Sequence, residues 1–570
     1  MRELSAELLS GLLGVDGAQG ILLDDAVHIE GEDAWILPLT LTIPHGSENV
    51  ASITEWFVRV QYGYPSGAID VLPSAANSIE TTFPHQNANR FVAGRPWRNG
   101  RLCVDQSGRH LFGERALSQP RSPRERLAWH LRSAREWIIA AAEGTLRLPG
   151  DPFELPDVPI RDGCVLAYAE DDATFGSWLD EFSKPPGLSS TCSVVEVMPG
   201  LLVVRTSRRK ASVIPLWGKL VMAAEDFASA WILLPAVPTV GVYAFPSTWG
   251  ELRSACAAFG VNLNEKLKQI APDLRECASG ALLIICFPIP DTVGGPDVEV
   301  ALQALRLPRL TRSPQMNERQ RWRLDISQLF RNNHPIDWLR TTNVADAHFA
   351  TRGRLPDTLR DAYVVLIGCG SLGSMIAELL IRKGLRRLTL LDGDSFAIAN
   401  TRRHVLTLEE IGQSKATALA ARLNTISLFA NVEAISTALC WPIDPNNAVT
   451  ACDVVIDCTA EDDIIQDLSA LPEGKKKRFY SFAMRSYATS LLAFASEGTS
   501  IDADAFFQAV TRLEHDLVKD DSAIRDAGCQ NPAFPAHWDR IVALASRAVH
   551  FVETKTNSEL PTPVFETIDA

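Results

Sequence analysis

The chain has 570 residues, enough for about three domains that each bury a core. Its net charge of −14 argues against general binding to nucleic acids or lipid surfaces, because such binding needs a basic face. The 11 cysteines show no Cys-x-x-Cys pair and no metal-ligand spacing, so we expect free thiols in a reducing cytoplasm and no structural zinc. We expect no signal peptide and no membrane span, since the longest apolar run, Ala281 to Pro288, is too short to cross a bilayer.

Residues 1–155 are predicted to form a domain of the α+β class. A helical pattern at the start is followed by three strand patterns, and a long helical pattern closes the region. The closing helix carries Leu127, Leu131, Ala134 and Ile138 on one face at helical spacing. The predicted elements, in chain order, are Arg2–Leu13, Trp35–Ile43, Thr54–Val60, Ala68–Leu72 and Pro123–Gly144.

A cysteine block lies between these strands and the closing helix and reads Asn99-Gly100-Arg101-Leu102-Cys103-Val104-Asp105. The block and the order of elements resemble ubiquitin-conjugating domains, which implies that Cys103 carries an acyl group as a thioester. The alternative is a small buried hydrophobe, the common fate of a free cysteine. The His-Pro-Asn turn of that family has its counterpart in His85-Gln86-Asn87, farther ahead of the cysteine than usual. Asn87 or Asn99 could therefore steady the oxyanion, or neither.

Residues 156–345 follow a proline-rich boundary and are predicted to form a linker domain of mixed α/β type and uncertain fold. Two apolar runs, Val240–Phe245 and Ala281–Pro288, predict buried strands. No nucleotide-binding loop, metal-ligand spacing or catalytic triad is evident, so we expect this region to space the two ends of the chain and to help dock a substrate. The cysteines predicted to lie in its core are Cys164, Cys192, Cys256, Cys277 and Cys286.

The region from residue 346 to residue 570 contains a strand, a glycine turn and a helix in immediate succession. The apolar run Tyr363–Ile367 predicts a buried parallel strand, and Ser374–Lys383 has a helical pattern. A second strand pattern ends at Asp392, the layout of a nucleotide-binding βαβ unit with an acid placed for ribose hydroxyls. The turn between the first strand and the helix offers backbone N–H groups to a phosphate, chiefly at Gly368, Gly370, Ser371 and Gly373.

The connection after Asp392 favours a triphosphate over a nicotinamide or flavin cofactor. Asn400, Arg403 and Lys415 add an amide and two cations where a dehydrogenase has no need of fixed charge. These groups suit attack at an α-phosphate, because negative charge builds up there in the transition state. A third buried strand is predicted to end at Asp457, which brings this acid to the same edge of the sheet.

These blocks resemble the ThiF/MoeB/ubiquitin-activating superfamily, in the family's order and spacing. The resemblance implies that ATP and magnesium bind here, with Asp394 among the nucleotide-binding residues, and that a protein C-terminus is adenylated. The family usually carries an aspartate where this chain has Ala460. We therefore assign the metal to Asp457, with the acids at 461–463 as the alternative, and otherwise expect impaired adenylation. The matching blocks are Gly368–Gly373, Leu391–Asp394, Asn400–His404, Gly412–Lys415 and Asp453–Thr459.

A further cysteine lies near the end of the chain in the block Ala527-Gly528-Cys529-Gln530-Asn531-Pro532. Glycine and proline predict a loop, and the block resembles the cysteine segment of bacterial activating enzymes of the ubiquitin type. The resemblance implies that Cys529 forms the first thioester. The competing thiols are Cys458, at the predicted end of a strand, and Cys369, inside the glycine turn.

A conjugating-like domain ahead of an activating-like domain resembles the bacterial fusion proteins of CBASS antiphage operons. This resemblance implies that the acylated partner is a cGAS-like nucleotidyltransferase, whose C-terminus passes from the adenylate to Cys529, then to Cys103, and finally to target lysines. The resemblance to the activating superfamily implies a homodimer through the last domain, and the cysteine usage predicts a cytoplasmic protein. The rival interpretations are a sulfur-carrier activator, a nicotinamide-dependent oxidoreductase and a scaffold that has lost catalysis.

Overall fold

The computed structural model describes residues 3–29, 31–104, 119–206, 217–275, 280–345, 348, 353–439, 447–485, 487–514, 524–525, 532–533 and 536–570. The chain divides into two compact units. The first comprises residues 1–194, 200–213 and 227–343, and the second comprises residues 195–199, 214–226 and 344–570. Their secondary structure has the mixed α/β and α+β character predicted from the sequence.

The first part of the chain forms a four-stranded antiparallel sheet with two helices. The strands pair in the order β1-β2-β3-β4, and the long helix α2 follows the sheet in sequence. Its predicted apolar face is confirmed, because Leu127, Leu131, Ala134 and Ile138 are fully buried in one core with the strands. The elements are α1 (Ala6–Val15), β1 (Ile21–Leu23), β2 (Ala34–Thr42), β3 (Ile53–Gln61), β4 (Ile69–Pro73) and α2 (Pro123–Glu143).

A closed barrel of seven strands follows, in the order β10-β11-β5-β7-β6-β8-β9. Its first strand, β5, pairs in parallel with its last, β11, and closure leaves these strands without an unpaired edge. The elements are β5 (Ile160–Tyr168), α3 (Asp172–Phe182), β6 (Ser189–Met198), β7 (Leu201–Thr206), α4 (Lys219–Ala223), β8 (Asp226–Leu233), α5 (Trp249–Ala258), α6 (Leu263–Leu274), β9 (Leu282–Pro290), β10 (Asp297–Arg306), α7 (Glu318–Gln328) and β11 (Asp337–Asn343).

The two strand predictions for this region had different outcomes. The run Ala281–Pro288 is confirmed as strand β9, whereas the prediction for Val240–Phe245 is wrong. That segment is a turn closed by a single bridge between Val240 and Ala244. Cys256 and Cys286 are buried as predicted, Cys164 and Cys192 are half-buried, and Cys277 lies outside the described residues.

The last part of the chain is built on a seven-stranded sheet in the order β14-β13-β12-β15-β16-β17-β20. The first five strands in this order, β14, β13, β12, β15 and β16, run parallel. Strands β17 and β20 follow, and each is antiparallel to the strand before it. The elements are α8 (Asp357–Arg360), β12 (Tyr363–Ile367), α9 (Ser371–Arg382), β13 (Arg387–Leu391), α10 (Lys415–Asn424), β14 (Asn431–Ile435), α11 (Ala448–Ala451), β15 (Val454–Asp457), α12 (Asp462–Ser469), β16 (Lys477–Met484), β17 (Ser490–Gly498), α13 (Ala503–Glu514), β18 (Ile524–Arg525), β19 (Pro532–Ala533), α14 (Trp538–Thr556) and β20 (Val564–Asp569).

The strand order of this sheet reverses at β12. Its neighbours are β13, which follows it in sequence, and β15, which returns to its other side. Ligands of open parallel sheets bind beyond the carboxyl ends of the strands at such a reversal. Residue 368, the first residue of the glycine turn, therefore lies at the place where a nucleotide is expected. In the part of the chain that is described, no helix is long and apolar enough to cross a membrane.

Candidate active sites

The glycine turn after β12 needs its glycines for two different reasons. Gly368 has a φ of +87°, a left-handed conformation that glycine adopts without strain. A Cβ atom on Gly373 would lie 1.9 Å from the carbonyl oxygen of Gly368, so helix α9 packs directly on the turn. A Cβ atom on Gly370 would meet no atom within 4 Å. With α9 beginning at Ser371, the turn offers open space beside unpaired helix N–H groups, which fits a phosphate.

Asp392 holds the loop after β13 against this turn. Its Oδ2 accepts a hydrogen bond from the backbone N–H of Cys369 at 2.7 Å, and its Oδ1 accepts one from the N–H of Asp394 at 2.8 Å. A carboxylate oxygen can accept a second hydrogen bond, so ribose hydroxyls can still bind here. The half-buried Asp392 therefore fixes the backbone of the turn and also lies beside the space expected for the nucleotide.

His404 ties the connection between β13 and α10 to the same turn. Its Nδ1 accepts a hydrogen bond from the N–H of Leu406 at 3.1 Å, so Nε2 carries the proton and donates to the carbonyl oxygen of Cys369 at 2.7 Å. Burial lowers the pKa of His404 to about 4, which keeps the ring neutral near pH 7. Cys369 is therefore held through its N–H by Asp392 and through its carbonyl by His404.

The predicted polar residues Asn400, Arg403 and Lys415 lie on the connection that His404 ties to this turn. The Nζ of Lys415 lies 2.7 Å from Oδ2 of Asp394, with the lysine side chain 11% exposed and the carboxylate 74% exposed. Asn400 accepts a hydrogen bond from the N–H of Ala397 at 2.9 Å and so shapes the short 3₁₀ helix Ile398–Arg403. Arg403 ends that helix directly before His404. The connection thus presents an ammonium group beside the carboxylate of Asp394.

Asp457 ends strand β15 and is completely buried. Its Oδ1 accepts hydrogen bonds from the N–H and the hydroxyl of Thr459, and its Oδ2 accepts one from the hydroxyl of Ser481 at 2.8 Å. Burial raises the pKa of Asp457, although these hydrogen bonds act against that shift. The carboxylate is therefore fixed rigidly at the carboxyl edge of the sheet.

A cavity of about 110 Å³ lies beside this carboxylate. It is lined by Ala460, Glu461 and Asp462 and by apolar side chains of α12, β16, β17, α13 and β20, and no residue of the glycine turn lines it. Ala460 has a φ of +58°, which is unusual for a residue with a Cβ atom. Within the described ranges no group of three or more His, Cys, Asp or Glu side chains is arranged to hold a metal ion. Magnesium is commonly held by one or two carboxylates together with substrate phosphates and water, and the carboxylates that line this cavity are those of Asp457, Glu461 and Asp462.

The thiols near the nucleotide turn are poorly suited to act as nucleophiles. Burial raises the pKa of Cys369 well above its usual range, and the charge of Asp392 adds to the shift. The pKa of Cys458 is raised in the same way, by burial and by Asp457. The thiolate is the reactive form, so neither group is activated. The preferred candidate, Cys529, lies outside the described residues.

Cys103 lies on a short segment that pairs with β4 on one side, where the N–H of Leu102 donates to the carbonyl oxygen of Val71 at 3.1 Å, and with the His85-Gln86-Asn87 turn on the other. The N–H of Cys103 donates to the carbonyl oxygen of His85 at 2.9 Å, and the N–H of Asn87 donates to that of Arg101 at 3.0 Å. The turn is therefore paired directly with the cysteine block, despite its distance in sequence. Among the cysteines that the structure describes, Cys103 is the exposed one.

Two separate cavities flank this cysteine block. A cavity of about 410 Å³ is lined by both candidate asparagines, Asn87 and Asn99, but not by Cys103. Cys103 lines the other cavity, of about 110 Å³, and Arg101 borders both. The remaining polar side chains of the smaller cavity are those of Arg126 and His130 on helix α2. The structure thus brings the turn to the cysteine without placing either asparagine in the cavity of the thiol.

Comparisons with known proteins cover nearly the whole chain. The model of the Cap2 central linker domain matches residues 144–344, and the ThiF family model matches residues 344–514. The ATP-dependent ubiquitin transferase-like protein Cap2 of Enterobacter hormaechei subsp. hoffmannii (strain UCI 50) is 31% identical over 585 residues, which cover 97% of this chain and 94% of that protein. The chain belongs to the Cap2 family. This membership confirms the resemblance to bacterial fusions of ubiquitin-conjugating-like and activating-like domains.

Other relatives match shorter stretches. Adenylyltransferase and sulfurtransferase MOCS3 of Mus musculus is 38% identical over 110 residues, which cover 19% of this chain and 23% of that protein. The crystal structure of E. coli MccB with ATP is 14% identical, with a TM-score of 0.25, and the match covers 37% of this chain and 65% of that one. The ThiF match places the last part of this Cap2-family chain among adenylating enzymes of the ubiquitin-activating type.

Sequence reasoning assigned no role to several residues that shape the two sites. Ser481 and Thr459 fix the Asp457 carboxylate, and His404 fixes the glycine turn. His404 belongs to the block that resembles the superfamily, so its position next to Arg403 was the available signal. No sequence signal pointed to His130, because it lies 27 positions after Cys103 and only the packing of α2 brings it to the cavity.

Proposed function

We propose that this chain adenylates the C-terminal carboxylate of a partner protein with ATP and then passes the acyl group through two cysteines. The observation that supports this most directly is the glycine turn itself, which is open at Gly370 and fastened on both sides by Asp392 and His404. A preorganised set of N–H donors beside fixed cations stabilises charge that develops on a phosphate. Membership in the Cap2 family supports the same reaction.

In the first step, a carboxylate oxygen of the partner attacks the α-phosphorus of ATP, and pyrophosphate leaves. The backbone at Gly368, Gly370, Ser371 and Gly373 and the side chains of Asn400, Arg403 and Lys415 bind the phosphates and stabilise the charge that builds up. Asp392 and Asp394 orient the ribose side and the lysine. The residues assigned to the nucleotide therefore position and stabilise, and none of them forms a covalent bond.

Magnesium is assigned to Asp457, with Glu461 as the alternative ligand. A bound magnesium ion would neutralise phosphate charge. The rigid fixation of Asp457 supports a role at the site, and its position at the edge of the parallel sheet agrees with a bound triphosphate. Asp457→Asn should abolish pyrophosphate exchange, whereas Glu461→Gln should leave it intact. The opposite pattern would move the metal to Glu461.

The acyl group then passes through thioesters. The thiol of Cys529 attacks the acyl-adenylate and releases AMP, and the thiol of Cys103 attacks the resulting thioester and releases Cys529. A lysine amine of a target protein finally takes the acyl group as an amide. Successive thioesters divide one difficult acyl transfer into easier steps. The exposed position of Cys103 supports its part in this relay.

The wider setting follows from the resemblance to antiphage operons. We propose that the partner is a cGAS-like nucleotidyltransferase, that the protein acts in the cytoplasm in antiphage defence, and that the chain is organised as domains of residues 1–155, 156–345 and 346–570. We also propose a homodimer through the last domain. Three exposed apolar side chains on the connection beside the nucleotide turn, Ile398, Leu408 and Ile411, support such an interface.

The decisive experiment is partner-dependent exchange of pyrophosphate into ATP. Lys415→Ala should lower the exchange rate by about 100-fold or more, since loss of one preorganised charge costs roughly 3 kcal/mol. Arg403→Ala should lower it as well, whereas Arg402→Ala, a neighbour of the same charge that is more exposed, should not. Undiminished exchange in the Lys415 variant would place the phosphate site elsewhere.

The rival functions give different results in the same assay. A scaffold without catalysis would show no exchange in the wild-type protein, the outcome that the alanine at position 460 favours. A sulfur-carrier activator would show exchange but no acyl adduct on Cys103. A nicotinamide-dependent enzyme would copurify with its cofactor and would not require Lys415.

A further inference from the structure

The buried amide of Gln86 joins the start of its turn to the start of the cysteine block. Its Oε1 accepts a hydrogen bond from the N–H of Phe83 at 3.0 Å, and its Nε2 donates to the carbonyl oxygen of Gly100 at 3.0 Å. Because one partner is a donor and the other an acceptor, they fix the orientation of the amide. Gln86 is 8% exposed, so water competes little for either hydrogen bond.

Gly100 leaves room for this amide to approach the backbone. A Cβ atom on Gly100 would lie 2.5 Å from Nε2 of Gln86 and 2.7 Å from Oδ1 of Asn89. The buried Asn89 cannot move aside easily, because its own amide nitrogen donates to the carbonyl oxygens of Ile79 and Thr81. The glycine of the cysteine block is therefore required by the packing of two buried amides.

The turn also holds the residues that follow Gly100. Gln86 forms an antiparallel bridge with Leu102, and the N–H of Cys103 donates to the carbonyl oxygen of His85 at 2.9 Å. The side chain of Gln86 holds Gly100 at the same time, so the register between the turn and the cysteine block is fixed at two places. A shift of one residue in such a pairing would turn the side chain of Cys103 to the opposite face.

We propose that Gln86 is a positioning residue for Cys103, because through Gly100 it fixes the register that presents the thiol to the acyl donor. The inference rests on the proposed function, in which this thiol takes the acyl group from Cys529. Gln86 acts through the backbone, so its role requires no contact with the thiol. Transfer between two thiols needs the attacking sulfur at a defined place, and misplacement by about 1 Å can slow such a step by about 100-fold.

The test is single-turnover transfer of the acyl group from Cys529 to Cys103 in full-length Gln86→Glu protein, with Cys529 loaded at pH 8. The new carboxylate can still accept from Phe83 but turns an oxygen towards the carbonyl of Gly100, so transfer at pH 8 should be about tenfold slower than in the wild-type protein or more. Burial raises the pKa of a carboxyl group. After a shift to pH 5, the protonated side chain can donate to Gly100, and transfer should match the wild-type rate at that pH.

Gln61→Glu is the matched control for the added charge. Gln61 lies exposed in the same domain, and its Oε1 accepts a hydrogen bond from the N–H of Ala68 at 2.9 Å, which a carboxylate can also accept. This variant should transfer at the wild-type rate at both pH values. The proposal is overturned if the control is as slow as Gln86→Glu, if folded Gln86→Glu transfers normally at pH 8, or if its deficit is the same at pH 5.

Amide hydrogen exchange of the segment 100–104 tests the geometry without ATP or a partner. In Gln86→Met, which keeps the size of the side chain and adds no charge, the N–H groups of Leu102 and Cys103 should exchange at least about tenfold faster than in the wild-type protein. If they do while the wild-type protein forms no thioester, the proposed function fails and the role of Gln86 in fixing the segment remains. If the wild-type protein forms thioesters, unchanged exchange or unchanged transfer in this variant rejects the positioning role alone.

Discussion

The nucleotide turn and the cysteine block hold their central cysteines in opposite ways. Cys369 is completely buried, and its backbone N–H and carbonyl are bonded to Asp392 and His404. Cys103 has its backbone paired with His85, but its thiol is exposed. The first site is made of backbone whose shape is fixed by its surroundings, and the second presents one side chain. We therefore expect substitutions in the glycine turn to change its geometry and the stability of the fold. Substitutions in the cysteine block should instead change the reactivity of the site.

The largest effect is expected at the block, from Cys103→Ala. This change should eliminate amide-linked products, because no thiol remains to receive the acyl group, while pyrophosphate exchange and thermal stability stay at wild-type levels. Non-reducing gels should still show a reducible adduct on Cys529. Conjugates that form at the wild-type rate would show that the first domain only binds and that Cys529 transfers directly.

At the turn, two glycines provide a matched pair. Gly373→Ala places a methyl group 1.9 Å from a backbone oxygen and should cost about 3 kcal/mol of stability or more. Gly370→Ala meets no atom within 4 Å and should leave the melting temperature unchanged while weakening ATP binding, because the methyl group would occupy space assigned to phosphate. Calorimetric titration with ATP and thermal unfolding separate the two effects. Equal melting temperatures for the two variants would contradict the close packing at residue 373.

The neutral state of His404 should make the stability of the turn depend on pH. The pKa of this histidine is about 4 in the folded protein, compared with about 6.5 in an unfolded chain. Its contribution is therefore complete above about pH 6.5 and is lost as the pH falls towards 4, by up to about 3 kcal/mol. Thermal unfolding of the full-length wild-type protein should show this loss. His404→Gln, which cannot titrate, should show a smaller loss over the same pH range.

The smallest effect is expected at Ala460. A φ of +58° strains a residue with a Cβ atom but not glycine. Ala460→Gly should therefore stabilise the protein by about 0.5 kcal/mol after the entropy of the unfolded chain is taken into account. Ala460→Asp should lower the magnesium concentration needed for half-maximal exchange, if this position adjoins the metal. An unchanged magnesium requirement would show that position 460 does not adjoin the metal.

The parts of the fold that were predictable are those whose signals are local. The strand Tyr363–Ile367 was predicted with its observed bounds, and the helix after the turn begins three residues before its predicted start, at Ser371. The last three residues of the glycine motif, Ser371 to Gly373, form the first turn of that helix, and Gly370 is its N-cap. Strand β20, at Val564–Asp569, was missed, since this edge strand keeps much of its surface in water and has no buried run.

The barrel could not be predicted in the same way, because its closure depends on residues far apart in sequence. Strands β5 and β11 pair Leu166 with Thr341, and nothing in either strand specifies the other. The run at 240–245 looked like a strand but is occupied by a tight turn, where Gly241 has a φ of +63°. Of the site residues, the backbone donors followed from a motif, whereas the position of His130 at the cavity of Cys103 depends on tertiary packing alone.

The parallel pairing of β5 with β11 also determines how the barrel responds to mechanical force. The chain enters the barrel at the amino end of β5 and leaves it at the carboxyl end of β11, and these strands are joined along Val165–Tyr168 and Arg340–Asn343. A pull on the two chain ends would load these hydrogen bonds side by side in shear, rather than opening them one at a time. The barrel should therefore transmit tension between its flanking segments without lengthening, and single-molecule stretching should show it unfolding at a higher force than the sheet β1–β4.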